Sequence, residues 1–313
     1  YLIADRVAVK APATSANLGP GFDIFGIALN EPYDLVTTRK IEDKSIVVTV
    51  RGKFSEGIPE KVEENSAGLA AKSLLTHFNI KEGVRIEVEK GVKPGMGLGS
   101  SAASAVAAVY ALNKLFNLNL SRRELIMFSA QGERASAGSA HADNVSAALL
   151  GGFVIVKPHL YEAQSIEPPS NLALCVAVPE VKPPPKKTGV ARSILPRSVS
   201  LIKAVHNTSM ACWMVASLTK GDVSEFGRAM QDLVVEPRRA KMVPGYSEVK
   251  RLALEAGAAG VVISGAGPTM LAVVDKRAAN PEDVAEAMRR GFESVGLASH
   301  CFVTTPGKGA SII

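Results

Sequence analysis

Pro94-Gly95-Met96-Gly97-Leu98-Gly99-Ser100-Ser101-Ala102-Ala103-Ser104 lies between two segments of different period. Ahead of it, Val84-Arg85-Ile86-Glu87-Val88-Glu89 alternates apolar and charged side chains, the pattern of a half-buried strand. Behind it, residues 102–116 are rich in Ala and contain no Gly or Pro, which predicts a buried helix. Three glycines within five residues permit a tight turn whose backbone N–H groups face inward. Ser100 and Ser101 stand where the helix should begin, and a helix N-terminus offers unpaired N–H groups and a partial positive charge. The stretch therefore reads as a phosphate cradle whose hydroxyls can serve a phosphate or a metal ion. Standing alone, it is better explained by a glycine-rich turn capped by serine. It lacks the G-K-[ST] ending of a Walker loop and the third glycine of a dinucleotide fingerprint. Its meaning depends on what else the chain carries.

With 313 residues, 47% of them hydrophobic, the chain can fill one large or two medium cores. The net charge of +6 is spread out, with short clusters only at Lys186-Lys187 and Arg238-Arg239, and aromatic residues are 5%. That balance favours anionic small molecules over a nucleic-acid surface. Cys175, Cys212 and Cys301 are odd in number and widely spaced, which points to a reducing cytoplasm and excludes a thiolate zinc site. No apolar run approaches the roughly 20 residues needed to cross a bilayer, and no signal peptide is visible.

Two further loops share the glycine-rich character of the first. Near the start, a short strand runs into Pro12-Ala13-Thr14-Ser15-Ala16-Asn17-Leu18-Gly19-Pro20-Gly21-Phe22-Asp23, where Asn17 and Asp23 are either turn formers or polar groups for a ligand. Near the end, Ser264-Gly265-Ala266-Gly267-Pro268-Thr269 joins strands at 260–264 and 270–274. Between them, strands are expected at 35–39, 46–50, 153–156 and 172–178. Helices are expected at 66–78 from an Asn65 cap, and after the capping box Ser121-x-x-Glu124. That second helix carries Gln131-Gly132-Glu133. His141 and Asp143 fall in the next loop, His141 as a ligand donor or a surface histidine, Asp143 as an acid/base group or a helix cap. Proline-rich sequence from 158 to 185 marks a domain boundary, and Pro183-Pro184-Pro185-Lys186-Lys187 should be extended and exposed. Leu201, Val205, Thr208, Cys212 and Val215 recur at helical spacing, with Trp213 assigned to packing. Helices at 247–256 and 281–291 and a last strand at 300–305 complete a ferredoxin-like α+β order.

Three Gly/Ser/Pro loops in this order resemble the GHMP small-molecule kinases, whose middle loop reads close to P-x-x-x-G-L-G-S-S-A-A. The fit here has one residue fewer before the glycine. Within that family, residues 12–23, His141-Ala142-Asp143-Asn144-Val145, Thr188 with Ala191-Arg192 and Leu195-Pro196, and Glu236-Pro237-Arg238-Arg239-Ala240-Lys241 are similar to the members that phosphorylate homoserine. The resemblance implies a two-domain α+β fold. Residues 1–165 would form an ATP-binding domain like domain 2 of ribosomal protein S5, and residues 166–313 a ferredoxin-like domain. It implies ATP and L-homoserine as reactants, O-phospho-L-homoserine as product on the way to threonine, Mg²⁺ as cofactor, and a homodimer.

Carried onto the matching positions, the phosphates fall to Pro94, Gly95, Met96, Gly97, Leu98, Gly99, Ser100, Ser101, Ala102, Ala103 and Ser104 with Gly265 and Gly267. Mg²⁺ falls to Ser101 and Glu133 through hard oxygen ligands. A substrate carboxylate suits the guanidinium groups of Arg192 and Arg239. Its ammonium suits Asp23, with Asn17, His141 and Thr188 completing the set. Asp143 and Asn144, with Glu133 and Ser101, are placed at the transfer itself. Two roles stay open for Asp143, a general base or a group that orients the loop while Asn144 and the γ-phosphate serve the hydroxyl. A mevalonate-type kinase and a silent nucleotide-binding module are the alternatives. The paired arginines and Asp23 speak against the first, Glu133, Asp143 and both serines against the second.

Overall fold

The structure is a computed structural model describing residues 5–137, 140–182 and 187–313, with Ser136 and Ala137 described by backbone alone. Gly138 and Ser139 of the His141 loop, and the Pro183–Lys186 part of the expected extended segment, lie outside these residues.

A mixed sheet is built from β1 (Arg6–Ala16), β2 (Phe25–Ile41), β3 (Ile46–Arg51), β4 (Gly83–Glu89), β5 (Phe153–Lys157) and β6 (Glu162–Ile166). The 17-residue β2 serves two partners. Its second half pairs with β4 (Leu35 opposite Glu89), and its first half pairs with β5 (Phe25 opposite Ile155). Strands β3 and β4 run parallel, the other pairs antiparallel, and β1 shifts register between Pro12 and Thr14. The expected loop from Pro12 is therefore strand as far as Ala16, paired with β2, and the shift falls beside a proline that cannot donate to a ladder.

Against this sheet pack α1 (Ser66–His77), α2 (Ser100–Leu115), α3 (Arg122–Gly132) and, after the short α4 (Arg134–Ala137), α5 (Asp143–Leu150). The caps act as their sequences imply. Asn65 accepts from the Ala67 and Gly68 amides at 3.0 and 3.1 Å, and Ser121 and Glu124 form both arms of a capping box. Helix α2 begins two residues earlier than its Ala-rich run, directly from Gly99 at φ 63°, so both serines belong to its first turn.

The second sheet contains β7 (Leu172–Pro179), β8 (Gly260–Ile263), β9 (Met270–Asp275) and β10 (Ser299–Thr304), in the antiparallel order β10-β7-β9-β8. This is the ferredoxin-like order the sequence suggested. Period-2 alternation divides its side chains between two cores. Leu174, Val176, Leu271 and Val273 join the core of the first sheet, together with Met214 and Phe226. Cys175, Ala177, Ala272 and Val274 face Val249, Val284, Met288 and Phe292 of the helices outside. The chain end then returns. Strand β11 (Ser311–Ile312) pairs with β1, so the first sheet draws a strand from beyond the 165/166 division.

In the chain between β7 and β8 come α6 (Lys187–Ser193), α7 (Leu201–Thr219), α8 (Val223–Arg228) and α9 (Glu236–Arg239). The last two helices, α10 (Tyr246–Glu255) and α11 (Pro281–Glu293), cover the second sheet. Three expectations fail here. Lys187 is buried as the first residue of α6, not extended and exposed. The face of α7 carrying Leu201, Val205, Thr208 and Cys212 is exposed, Leu201 to 78%, because the helix packs through the flank holding Met210, Met214 and Leu218. Trp213 is 55% exposed and donates to Glu225 at 3.1 Å instead of filling a core.

Candidate active site

The three loops foreseen in the sequence meet in space. The Thr14 amide donates to Leu98 O (3.0 Å), the Gly265 amide to Ala16 O (3.1 Å) and the Thr269 amide to Met96 O (3.2 Å). The Ser264 hydroxyl bonds the Ser15 Oγ (2.8 Å) and Gly97 O (2.7 Å). Loop contacts this close require glycine. A Cβ at Gly97, whose φ is +87°, would lie 2.3 Å from Ser264 O. One at Gly99 would lie 1.9 Å from Thr14 Oγ1. The glycine loop is thus pressed between the first and third loops, with the N-terminus of α2 behind it.

One cavity runs along this junction. Of the predicted residues, Asn17, Asp23, Pro94, Gly95, Gly97, Leu98, Gly99, Ser100, Ser101, Ser104, Glu133, His141, Asp143, Asn144, Thr188, Arg192, Arg239 and Gly265 line it. Met96, Ala102 and Ala103 do not, since their side chains are fully buried in the hydrophobic core and only their backbone belongs to the loop. Gly267 is set back as well, its carbonyl against the glycine loop and bonded by Lys187 Nζ. Ser100 and Ser104 spend their hydroxyls internally, on Val92 O (2.8 Å) and on Asp34 (2.7 Å), which leaves Ser101 as the serine of the cavity's chemistry.

Ser101 donates to Glu133 Oε1 at 2.7 Å. Glu133 sits at the C-cap of α3, buried, and burial pushes its carboxyl up to about 7. Asp143 opens α5 and is pushed up to about 6 by burial and then by the charge of Asp23. It does not cap its helix. Its Oδ1 accepts the next amide, Asn144 N, at 2.7 Å, and Asn144 Oδ1 in turn accepts from Thr14 Oγ1 at 2.8 Å.

A second group of polar side chains stands at the amino-acid end foreseen by the motifs. Arg192 Nη2 donates to both oxygens of Asp23, at 2.7 and 2.9 Å, and lies 3.1 Å from His141 Nδ1. A guanidinium has only donors, so His141 Nδ1 accepts and the ring proton sits on Nε2. Burial and the Arg192 charge lower the His141 pKa. Arg192 Nε is buried without an acceptor among the described residues. Arg239 donates to Gly265 O (3.0 Å) and Ala191 O (3.3 Å). Asn17 links the same loops through Gly265 O (2.9 Å) and the Asp23 amide (3.1 Å). Asn17 and Asp23 hold φ of 72° and 60°, a left-handed backbone that Asn and Asp tolerate best.

Sequence reasoning missed Thr14, Phe22, Asp34, Lys90 and Lys187. Lys90 is buried against Asp34, Ser104 Oγ (2.9 Å) and Ser100 O (3.0 Å), tying β2 and β4 to the first turn of α2. Asp34 also accepts the Gly91 and Val92 amides. A lysine and an aspartate 56 positions apart give no local signal. The cavity lining also includes Ile58, Pro59 and Val88, together with the polar Glu64, Asn65 and Ser66.

The arrangement can hold a chain of phosphates on backbone N–H groups, a hard cation on Ser101 and Glu133, and a small zwitterion between Asp23 and two arginines. Among the described residues no cluster of three acidic, His or Cys groups could cage a metal alone, and no helix is long and apolar enough to cross a membrane.

The chain matches known proteins over most of its length. Residues 65–152 match the GHMP kinases N terminal domain, and residues 214–294 the GHMP kinases C terminal domain. The chain is 43% identical over 309 residues to a homoserine kinase of Methanocella arvoryzae, covering 99% of this chain and 98% of that one. It is 44% identical over 273 residues to one from Methanococcus vannielii, covering 87% and 88%. The crystal structure of homoserine kinase from Cytophaga hutchinsonii superposes with a TM-score of 0.91 at 36% identity, covering 100% of this chain and 99% of that one.

Proposed function

The chain belongs to the homoserine kinases of the GHMP kinase family, and we propose that its cavity transfers the γ-phosphoryl group of ATP to the side-chain hydroxyl of L-homoserine. The observation that carries this reading is the Asp23–Arg192 pair, with its 2.7 and 2.9 Å bonds, in the same cavity as the glycine loop. A zwitterionic amino acid can replace that internal pair with two pairs of its own. Its ammonium takes Asp23, and its carboxylate takes Arg192, including the unsatisfied Nε, and Arg239. His141, beside Arg192, lines the same end of the cavity as a further hydrogen-bonding group.

The nucleotide's phosphates would rest on the loop amides at the α2 N-terminus, with the mixed wall of Ile58, Pro59, Asn65 and Val88 available to the base. The residues present fit a magnesium ion. Ser101 and Glu133 are adjacent hard oxygen donors, and a carboxyl held up by burial gains charge when a cation arrives. Two protein ligands suit an ion that takes its remaining oxygens from phosphate and water. Bound there, it would supply neutralisation of phosphate charge. Everything else falls to this chain's residues, because phosphoryl transfer depends chiefly on positioning and charge. Asn144, fixed by Thr14 and Asp143, stands beside Gly99 where the hydroxyl and the γ-phosphate would meet.

A coupled assay of ADP release with L-homoserine, L-serine and mevalonate tests the reading. L-Homoserine should give the highest kcat/KM. Mevalonate has no ammonium and would leave Asp23 without that partner, lowering kcat/KM by about tenfold or more. Faster turnover of mevalonate would overturn the assignment.

A further inference from the structure

The guanidinium carbons of Arg192 and Arg239 lie over the same aromatic ring, each 5.2 Å from the centroid of Phe22. The two arginines come from different elements, α6 and α9, and Phe22 from the loop between β1 and β2. We infer that Phe22 is a positioning residue for the amino-acid end of the site, its ring holding both guanidinium groups at a set spacing as one preformed clamp. The inference rests on the reading of Arg192 and Arg239 as the carboxylate side of the substrate pocket.

Two cations brought this close repel each other. The Arg192 charge is, after burial, the next influence lowering the pKa of Arg239. Something must offset that repulsion without occupying the N–H edges that a carboxylate needs. Asp23 does so for Arg192, but by using those N–H groups, and a substrate ammonium competes for the same carboxylate. An aromatic face attracts a guanidinium through its quadrupole and uses no hydrogen bond, so neither end of the substrate can displace it. Phe22 is also fixed for this task. It precedes Asp23, whose φ is 60°, in a turn closed by the Ile24 and Phe25 amides on Gly21 O at 2.9 and 2.8 Å. Ring and carboxylate therefore address Arg192 from consecutive positions of one rigid turn, and the ring lies against Arg239 as well, which the Asp23 charge reaches only at longer range.

Volume and ring electrons make different predictions, and that separates positioning from filling. Phenylalanine at 22 is replaced in the full-length chain by 4-fluoro-, 3,5-difluoro- and 3,4,5-trifluorophenylalanine, and separately by Phe22→Leu. Fluorination barely changes size while draining the ring's negative face. The KM for L-homoserine should climb stepwise along the series, reaching about tenfold in the trifluoro and Leu proteins, the scale of two weakened cation–π contacts. The KM for ATP should stay within about twofold. A flat fluorination series, or parallel movement of both KM values, would show that Phe22 only fills space. A second measurement does not depend on turnover. In protein labelled with ¹³C-arginine, the δ-methylene signals of Arg192 and Arg239 should be shifted upfield by the ring and lose that shift in Phe22→Leu. Unshifted signals in the native protein would overturn the inference. Native protein that shows the shifts but fails to turn over L-homoserine would sink the substrate reading and leave the role of Phe22 standing.

Discussion

Asp143 illustrates how much one side chain's role depends on its bonds. Its carboxyl is pushed up to about 6, inside the range a general base would use. Yet Oδ1 is committed to the Asn144 amide at 2.7 Å, and that bond fixes the turn on which Asn144 meets Thr14. An oriented Asn144 is what the geometry supports. Asp143→Asn keeps an acceptor in the same place, so kcat should fall by about tenfold, the scale of one hydrogen bond of ~1.5 kcal/mol. The acidic limb of the pH–rate profile should persist in the variant. A thousandfold loss with disappearance of that limb would instead make Asp143 the base.

Helix α2 and the loop before it behave as one element clamped from three sides. Its N-terminus is held by Lys90 and Asp34 beneath, by Thr14 and Leu98 at one flank, and by Ser264 and Gly97 at the other. Gly97 is where clamping leaves no room. Gly97→Ala would add a Cβ 2.3 Å from Ser264 O and 2.8 Å from Gly267 O, at a φ of +87°. We expect about 2–3 kcal/mol lower unfolding free energy, from left-handed strain together with displaced backbone, and a raised KM for ATP. A denaturation midpoint and KM equal to those of the parent protein would refute this account. The position of this loop was legible in its glycines and serines, because turn chemistry is local. Its clamps were not: Lys90 carries no motif of its own, and the third loop's motif does not say that the Ser264 hydroxyl closes on Gly97 O.

The cavity gathers loops and helix ends from distant parts of the chain, and bringing them together buries charge. Lys187, on α6, bonds the Gly267 carbonyl and is held down to about 7 by burial and by Arg239. Its folded pKa lies below the unfolded value near 10.5. The unfolded chain therefore binds more protons between about pH 7 and 10.5, and stability should rise with pH across that window. Lys187→Met removes the titration. Without ligand, the native protein should gain up to roughly 4 kcal/mol between pH 7 and pH 10 relative to the variant, an upper bound set by the shift. Parallel stability curves for the two proteins over that range would show that Lys187 keeps its ordinary pKa in the folded chain and is not held down by burial.

Local rules on this chain delivered the caps at Asn65 and Ser121, the strand alternations, the ferredoxin-like order and the three glycine loops. Each depends on residues within a few positions of one another. Ordered motifs then pointed to Asn17, Asp23, His141, Arg192 and Arg239 as neighbours, and the cavity brings them together. Tertiary structure alone decided how they are used. Asp23 grips Arg192 across 169 positions, Phe22 lies under two guanidinium groups, and Lys90 is buried on Asp34. It also decided that α7 exposes Leu201 and Val205 while Lys187 goes inside. Periodicity says that a helix has an apolar side. Which side meets a neighbour, and which charge loses its water, depends on surfaces that close over long separations in sequence, where burial and pKa are properties of the neighbourhood and not of the residue.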